Sequence, residues 1–345
     1  MDGIDPQIAS IANELFGLAG LAATPTDISP IKRDGNNQLF VISTQHQRFI
    51  LKQYFQNPAD LRNRLNTEFE FLQLASRKAP RQVPKPYAKS DHQFAALYEL
   101  IDGATITSSA ALTENHILQA GQFIACLNDD AEPANMTSLR AASEACFSVA
   151  EHIERIDFRL VELEDTQPLH VDDLEFGRLL SLILSRWQEI KADLIHRCSA
   201  NRQFALYEKL TAPQRVLSPS DFGFHNVLVR QDSSVAFIDF EYAGWDDPAK
   251  LVGDFFAQVA LPVDLKYFDL FVDAAFRSRP DYEMIYARAE ALLSLYKIKW
   301  CCIVLNIYLP KHLARRQFAN PTLNVSEIKQ QQLLKAKQLL EEAIL

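Results

Sequence analysis

The run Asp221-Phe-Gly-Phe-His-Asn226 is followed thirteen positions later by Asp239. A carboxylate and a side-chain amide with four residues between them can share one loop, and a tight hairpin ending at "FIDF" can return a second carboxylate to the same place. Transfer of a phosphoryl group to a hydroxyl requires such a set: a carboxylate to orient the hydroxyl and take its proton, and oxygen ligands that hold magnesium against phosphates. Taken singly, each residue suits an ordinary turn equally well, and Asp239 suits the end of a strand. Their order and spacing carry the joint reading.

The elements that must position these residues are legible in outline. "NVLV" and "VAFIDF" are two short apolar strands flanking an Asp-Ser-Ser turn. Far upstream, Ile8 to Leu18 has helical periodicity, and Ile31 to Tyr54 switches to strand-like runs, "LFVIST" and "RFILKQYF", joined by a polar "QHQ" turn as a hairpin. Asn57-Pro58 breaks the chain, and Ala59 to Arg77 is expected to be a helix with Leu61, Leu65, Phe69, Leu72 and Leu74 on its apolar side. Pro80, Pro84 and Pro86 mark a loop, after which "QFAALYELIDG" reads as a strand running out at Asp102-Gly103. Thr113 to Ala125 suits a helix start followed by a buried face. Two longer helical blocks are expected over Leu139–Leu163 and Asp173–Leu210, and beyond residue 250 the pattern stays helical almost to the end.

The segment around Asp221 resembles the catalytic region of the aminoglycoside phosphotransferase and choline kinase superfamily, and "IDFEYAG" in particular resembles the metal-binding strand of choline and ethanolamine kinases. The resemblance implies an α+β, protein-kinase-like two-lobed fold: a small β-rich nucleotide-binding lobe over residues 1–102 and a larger, mostly helical catalytic and substrate-binding lobe over 103–345. It implies catalytic base for Asp221, magnesium ligand for Asn226 and principal magnesium ligand for Asp239, with Glu241 where many members carry a second acidic group near the metal. Kinases pair a strand lysine on the α- and β-phosphates with a helix glutamate. Lys52 in "FILKQY" and Glu68 in "NTEFEFL" suit these parts, with Glu70 as the competing acid. In "KRDGNNQLF", one glycine, Gly35, precedes Asn36 and Asn37, whose amides would approach the phosphates; a plain hairpin turn accounts for the same residues. Tyr98 to Gly103 falls where the resemblance puts the link between lobes, so the backbones of Glu99 and Ile101 are the expected adenine contacts. Asp254 is expected to be structural, and Asp246 and Asp247 are unassigned. One departure stands out: members usually carry a histidine two residues before the base, which braces the loop, and this chain has Pro219 there.

Composition bounds the partners. The 345 residues are 48% apolar and 23% charged, an ordinary globular balance with ample core. The 44 acidic residues outweigh 35 basic ones for a net charge of −9, which argues against nucleic acid and anionic membrane. Five cysteines form no CxxC pair and read as reduced thiols. The first twenty residues lack lysine and arginine, so a signal peptide is not expected, and the longest strongly apolar stretch, Trp300 to Leu309, is far below the ~20 residues of a membrane span. The expectation is a cytoplasmic kinase using Mg2+ with ATP or GTP as phosphoryl donor and a small-molecule hydroxyl acceptor such as an amino alcohol, sugar or aminoglycoside. No protein partner is inferable. Trp245, Trp300 and Tyr296 would offer aromatic faces to a cationic acceptor, and Glu341 and Glu342 would offer carboxylates, although core packing and solvation account for these residues as readily. The rival is a nucleotide-binding regulator without turnover.

Overall fold

A computed structural model describes residues 5–31, 37–56, 62–129, 139–170, 173–200, 204–319 and 324–343. The chain divides into two compact units: Met1–Thr107 with Gln122–Ser143 and Pro219–Gly244, and Ser108–Gly121 with Glu144–Ser218 and Trp245–Leu345.

In the first unit, helix α1 (Pro6–Leu18) begins where the Asp5 carboxylate accepts from the Gln7 amide at 2.8 Å, with Pro6 in the first turn, where its missing N–H costs nothing. Its apolar residues Ile8, Ile11, Ala12, Leu15 and Phe16 recur at helical spacing and bury one stripe. That stripe packs on an antiparallel sheet of strands β1 (Asp27–Ile31), β2 (Gln38–Ser43), β3 (Arg48–Gln53), β4 (Pro86–Ser90) and β5 (Ala95–Glu99), ordered β1-β2-β3-β5-β4. Alternation along β3 is decisive for the site. Phe49 and Leu51 join Ile42 and Leu97 in the core under α1, so Ile50 and Lys52 project from the opposite face.

Helix α2 (Arg64–Lys78) starts later than the sequence pattern suggests, because the Asn63 side chain accepts from the Asn66 amide at 3.1 Å and caps the helix there. Residues 57–61 lie outside the described chain. Its buried side takes Leu65, Phe69 and Leu72 as expected, together with Phe71 and Glu68, whereas Leu74 is only half-buried. Strand β6 (Ala104–Thr105) pairs with β8 (Val227–Val229), which forms a hairpin with β9 (Val235–Phe237).

The second unit is largely helical: α4 (Val149–Thr166), α5 (Leu174–Ala200), α6 (Pro248–Ala257), α7 (Phe268–Phe276), α8 (Tyr282–Leu305), α9 (Pro310–Ala319) and α10 (Val325–Glu342). The expected helix from Leu139 begins only at Val149, where Ser148 caps it by accepting from the Glu151 amide. The block expected to reach Leu210 stops at Ala200. Within Tyr282–Tyr308 an 18-residue window has a mean hydropathy of 1.3, so by length and composition the helix could cross a membrane, yet 67% of that window is buried inside the protein. Its buried Arg288 and Lys299 are paired with Asp247 and Asp254, as expected of a core helix enclosed by other helices. Gly253 on α6 permits this packing, since a Cβ there would lie 2.2 Å from the Tyr296 ring. Tyr296 is core, hydrogen-bonded to His152; Trp300 donates to Asp254; and Glu342 pairs with Lys297. Asp247 caps α6, and Asp246 pairs with Lys250.

Candidate active site

Lys52 sits on the central strand of the sheet, 6% exposed, with its ammonium 2.7 Å from Glu68 Oε2 and 2.6 Å from Asp239 Oδ1. Glu68 uses both oxygens: Oε2 also accepts from the Tyr54 hydroxyl at 2.6 Å, and Oε1 accepts from the Phe240 amide at 3.2 Å. The Tyr54 hydroxyl in turn lies 2.7 Å from that of Tyr98 on β5. Burial by itself would drive the Lys52 amine down, but Glu68, Asp239 and Glu241 together outweigh it and hold the amine well above its ordinary value. Burial pushes the Glu68 carboxyl up, and Lys52 offsets part of that rise. Glu68, on the inward side of α2, is thus the helix acid that meets Lys52.

The turn carrying Asp221 is held from both sides by aromatic anchors. Phe222 and Phe224 are buried, and the Phe222 ring packs on Phe237 at 4.9 Å and on Phe123, from helix α3 (Glu114–Asn128), at 5.9 Å. Ser220, at φ +69°, takes a left-handed backbone that few non-glycine residues adopt, and the Asp221 amide donates to the Pro219 carbonyl at 3.1 Å. The alternation of buried phenylalanines leaves Asp221 beside a cavity. A short 3-10 turn over Phe224–Asn226 follows, and the Asn226 side-chain nitrogen donates to the Asp221 carbonyl at 3.1 Å. Its amide oxygen is therefore the end left for a cation.

Hairpin register brings the remaining carboxylate back. Val227 pairs with Phe237, and the Ile238 amide donates to the Asn226 carbonyl at 3.0 Å, so Asn226 and Asp239 emerge at the same end of the β8–β9 ladder. Asp239 then turns left-handed at φ +70°, a conformation that aspartate tolerates better than most residues. Phe240, buried and stacked on Phe71 at 4.7 Å, anchors the chain just beyond it.

These groups line one cavity of about 740 Å³, whose polar lining includes Lys52, Glu68, Asp221, His225, Asn226, Asp239 and Glu241. Ile31, Leu39, Ile50, Leu100, Leu228 and Ile238 line the rest, enough apolar surface for a flat heterocycle. Glu99 and Ile101 are there too. The Glu99 amide donates to the Lys85 carbonyl at 2.9 Å. Asn37 lines the cavity with both ends of its side chain engaged: Nδ2 donates to Glu241 Oε2 at 2.8 Å and Oδ1 accepts from the Phe55 amide at 3.2 Å. Gly35 and Asn36 lie outside the described residues. Glu241 is neither solvated nor idle, for it is 6% exposed and also approaches Arg64 at 3.4 Å. Asp254 makes its hydrogen bonds to Lys299 and Trp300.

Among the described residues no group of three or more His, Cys, Asp or Glu could hold a metal. Asn226 and Asp239 offer one amide oxygen and one carboxylate, a hard-oxygen pair that suits magnesium completed by phosphate and water oxygens. Sequence reasoning passed over His225, Tyr54 and Tyr98. Tyr54 was within reach, lying two residues beyond Lys52 on the same side of an alternating strand.

A family model described as the phosphotransferase enzyme family matches residues 27–282. The chain belongs to that family. The match runs from β1 into the start of α8 and spans every residue of the cavity described above. No curated protein matches the chain. Among solved structures, a spectinomycin phosphotransferase in complex with ADP and spectinomycin aligns at a TM-score of 0.58 and 12% identity, covering 99% of this chain and 100% of that one. A choline kinase from Cryptosporidium parvum Iowa II aligns at 0.54 and 14% identity, covering 92% and 89%. An ethanolamine kinase from Plasmodium vivax aligns at 0.56 and 12% identity, covering 92% and 84%. At such identities the likeness speaks to the fold. This phosphotransferase has the protein-kinase-like α+β fold, with a β-rich N-terminal region and a mostly helical C-terminal region.

Proposed function

We propose that this phosphotransferase moves the γ-phosphate of ATP onto a hydroxyl of a small metabolite such as an amino alcohol, sugar or aminoglycoside, with residues 1–102 as the nucleotide-binding lobe. The observation that carries the reading is the Lys52 ammonium set between Glu68 and Asp239 in a cavity that Asp221 and Asn226 also line. Lys52, braced by Glu68, neutralises the α- and β-phosphates. The apolar part of the cavity takes the base, the Glu99 carbonyl and the Ile101 amide meet its edge, and Asn37 lies over the phosphates. Asp221 orients the acceptor hydroxyl and takes its proton as the oxygen bonds to the γ-phosphorus and the bridging oxygen leaves with ADP. Asn226 and Asp239 would hold Mg2+, which supplies charge neutralisation on the β- and γ-phosphates when bound. With a net charge of −9 and the apolar helix α8 enclosed in the core, a cytoplasmic enzyme is the consistent setting.

Incubation with labelled ATP and a metabolite extract, followed by mass spectrometry, tests the reading. The expected result is a product heavier by one phosphoryl group. Binding of magnesium-ATP with no product across broad extracts would favour a regulator without turnover.

A further inference from the structure

In this site the His225 ring stands near the Asp221 carboxylate, with Nε2 3.4 Å from Asp221 Oδ1. The two are four residues apart, brought together by the 3-10 turn over Phe224–Asn226, and both line the cavity. The Asp221 side chain is 40% exposed and that of His225 is 21% exposed, so the imidazole is the more buried of the two. The other ring nitrogen, Nδ1, is buried and has no hydrogen-bond partner among the described residues. That decides which nitrogen carries the hydrogen. A hydrogen on Nδ1 would be a buried donor with nothing to donate to, whereas a hydrogen on Nε2 has a carboxylate oxygen 3.4 Å from its nitrogen. A half-exposed aspartate rotates freely unless held, and a general base works only when its oxygen stays within hydrogen-bond reach of the acceptor hydroxyl. Pro219, two residues before Asp221, has no side-chain donor to hold it.

We propose that His225 is the positioning residue of this reaction, its Nε2–H holding the Asp221 carboxylate in line with the acceptor in place of a histidine before the base. The inference rests on the reading of Asp221 as the base. Contacts of this kind are often long without substrate and tighten in the working complex, which accounts for 3.4 Å.

Two measurements on the full chain test it. In spectra of protein labelled with 15N-histidine at pH 8, with the His225 signals assigned by their loss in His225→Gln, the Nε2–H tautomer is expected to dominate, and its Nε2 proton is expected to exchange faster with solvent in Asp221→Ala. A dominant Nδ1–H tautomer overturns the proposal, and this readout needs no acceptor. In turnover with magnesium-ATP and the acceptor found by the extract screen, His225→Ala is expected to lower kcat by ~10-fold or more while the KM for ATP stays within about twofold. His225→Gln, whose amide nitrogen reaches the place of Nε2, should restore most of the rate, and His225→Asn, whose nitrogen falls nearer the place of Nδ1, should not. Equal losses in all three variants, or no loss in any, would overturn it. Melting temperatures of the variants separate a folding defect from a positioning one. A wild type that phosphorylates nothing would remove the phosphotransfer reading and this proposal with it, whereas a wild type that turns over but holds a dominant Nδ1–H tautomer would remove this proposal alone.

Discussion

At Lys52 one ammonium serves two carboxylates, and that arithmetic predicts how its removal behaves with pH. Breaking a buried pair by deleting one partner costs ~3–5 kcal/mol, less here because the Asp239 side chain is 36% exposed and can recover water. In Lys52→Ala the buried Glu68 carboxyl loses the charge that opposes its rise, so its folded value moves further above the ordinary 4.5. A group raised on folding binds its proton more tightly in the folded state, so stability falls as pH climbs above the unfolded value. Thermal melts should therefore show a small deficit against wild type near pH 5 and a larger one near pH 7.5; a deficit independent of pH would mean that Lys52 does not govern Glu68. For Asp221→Asn the expectation is different in kind. The amide keeps the shape, cannot take a proton, and leaves Lys52, Asn226 and Asp239 in place, so turnover should drop ~10²-fold or more while the thermal shift from magnesium-ATP survives. Near wild-type turnover would remove Asp221 as base.

At the scale of elements, the site depends on a short hairpin and the turns at its ends. The β8–β9 ladder is only three residue pairs long, so its register is set by the buried Val227, Val235 and Phe237, with Phe240 beyond it, as much as by backbone bonding. Gly244 closes the segment. Its φ is +158°, and a Cβ there would lie 2.4 Å from the Arg140 carbonyl oxygen and 2.6 Å from the Ala142 amide, both backbone atoms that cannot swing aside. Nearby, the Ser143 amide donates to the Tyr242 carbonyl at 2.9 Å. Gly244→Ala must push that strand of chain away and should destabilise the protein by ~1–3 kcal/mol in a denaturant melt. A melt superimposable on wild type would show that the 139–143 segment yields freely.

At the scale of the whole molecule, binding should register as stability. A ligand that binds the folded state alone adds RT ln(1 + [L]/Kd), ~2.7 kcal/mol at a hundredfold excess over Kd. Magnesium-ATP is expected to raise the melting temperature more than ATP with a chelator does, and Asp239→Asn should erase the difference. Equal shifts in both proteins, with and without magnesium, would take Asp239 out of the metal site. The net charge of −9 makes this a local effect, because the protein as a whole repels a nucleotide that the ammonium of Lys52 must attract.

The convergence of Lys52, Glu68, Asp221, Asn226 and Asp239 on one cavity was legible in the amino-acid sequence through the family resemblance, which implies the meeting of Lys52 with Asp239 across 187 positions. Spacing by itself carried only the return of Asp239 to Asn226 through the length of the hairpin; Lys52 and Glu68 were chosen by the resemblance, and their inward directions are decided by the fold. The family and the α+β class followed from the same motifs. What else joins residues distant in sequence was not legible. The bond from Asn37 to Glu241 spans 204 positions, and that from the Phe240 amide to Glu68 spans 172; no periodicity encodes which buried polar atoms will meet. The helix expected from Leu139 begins at Val149 because capping by Ser148 outweighs an apolar pattern that starts earlier. The grouping of Pro219–Gly244 with Met1–Thr107 likewise belongs to tertiary structure alone, since aromatic packing among Phe71, Phe123, Phe222, Phe237 and Phe240 draws those segments into one core.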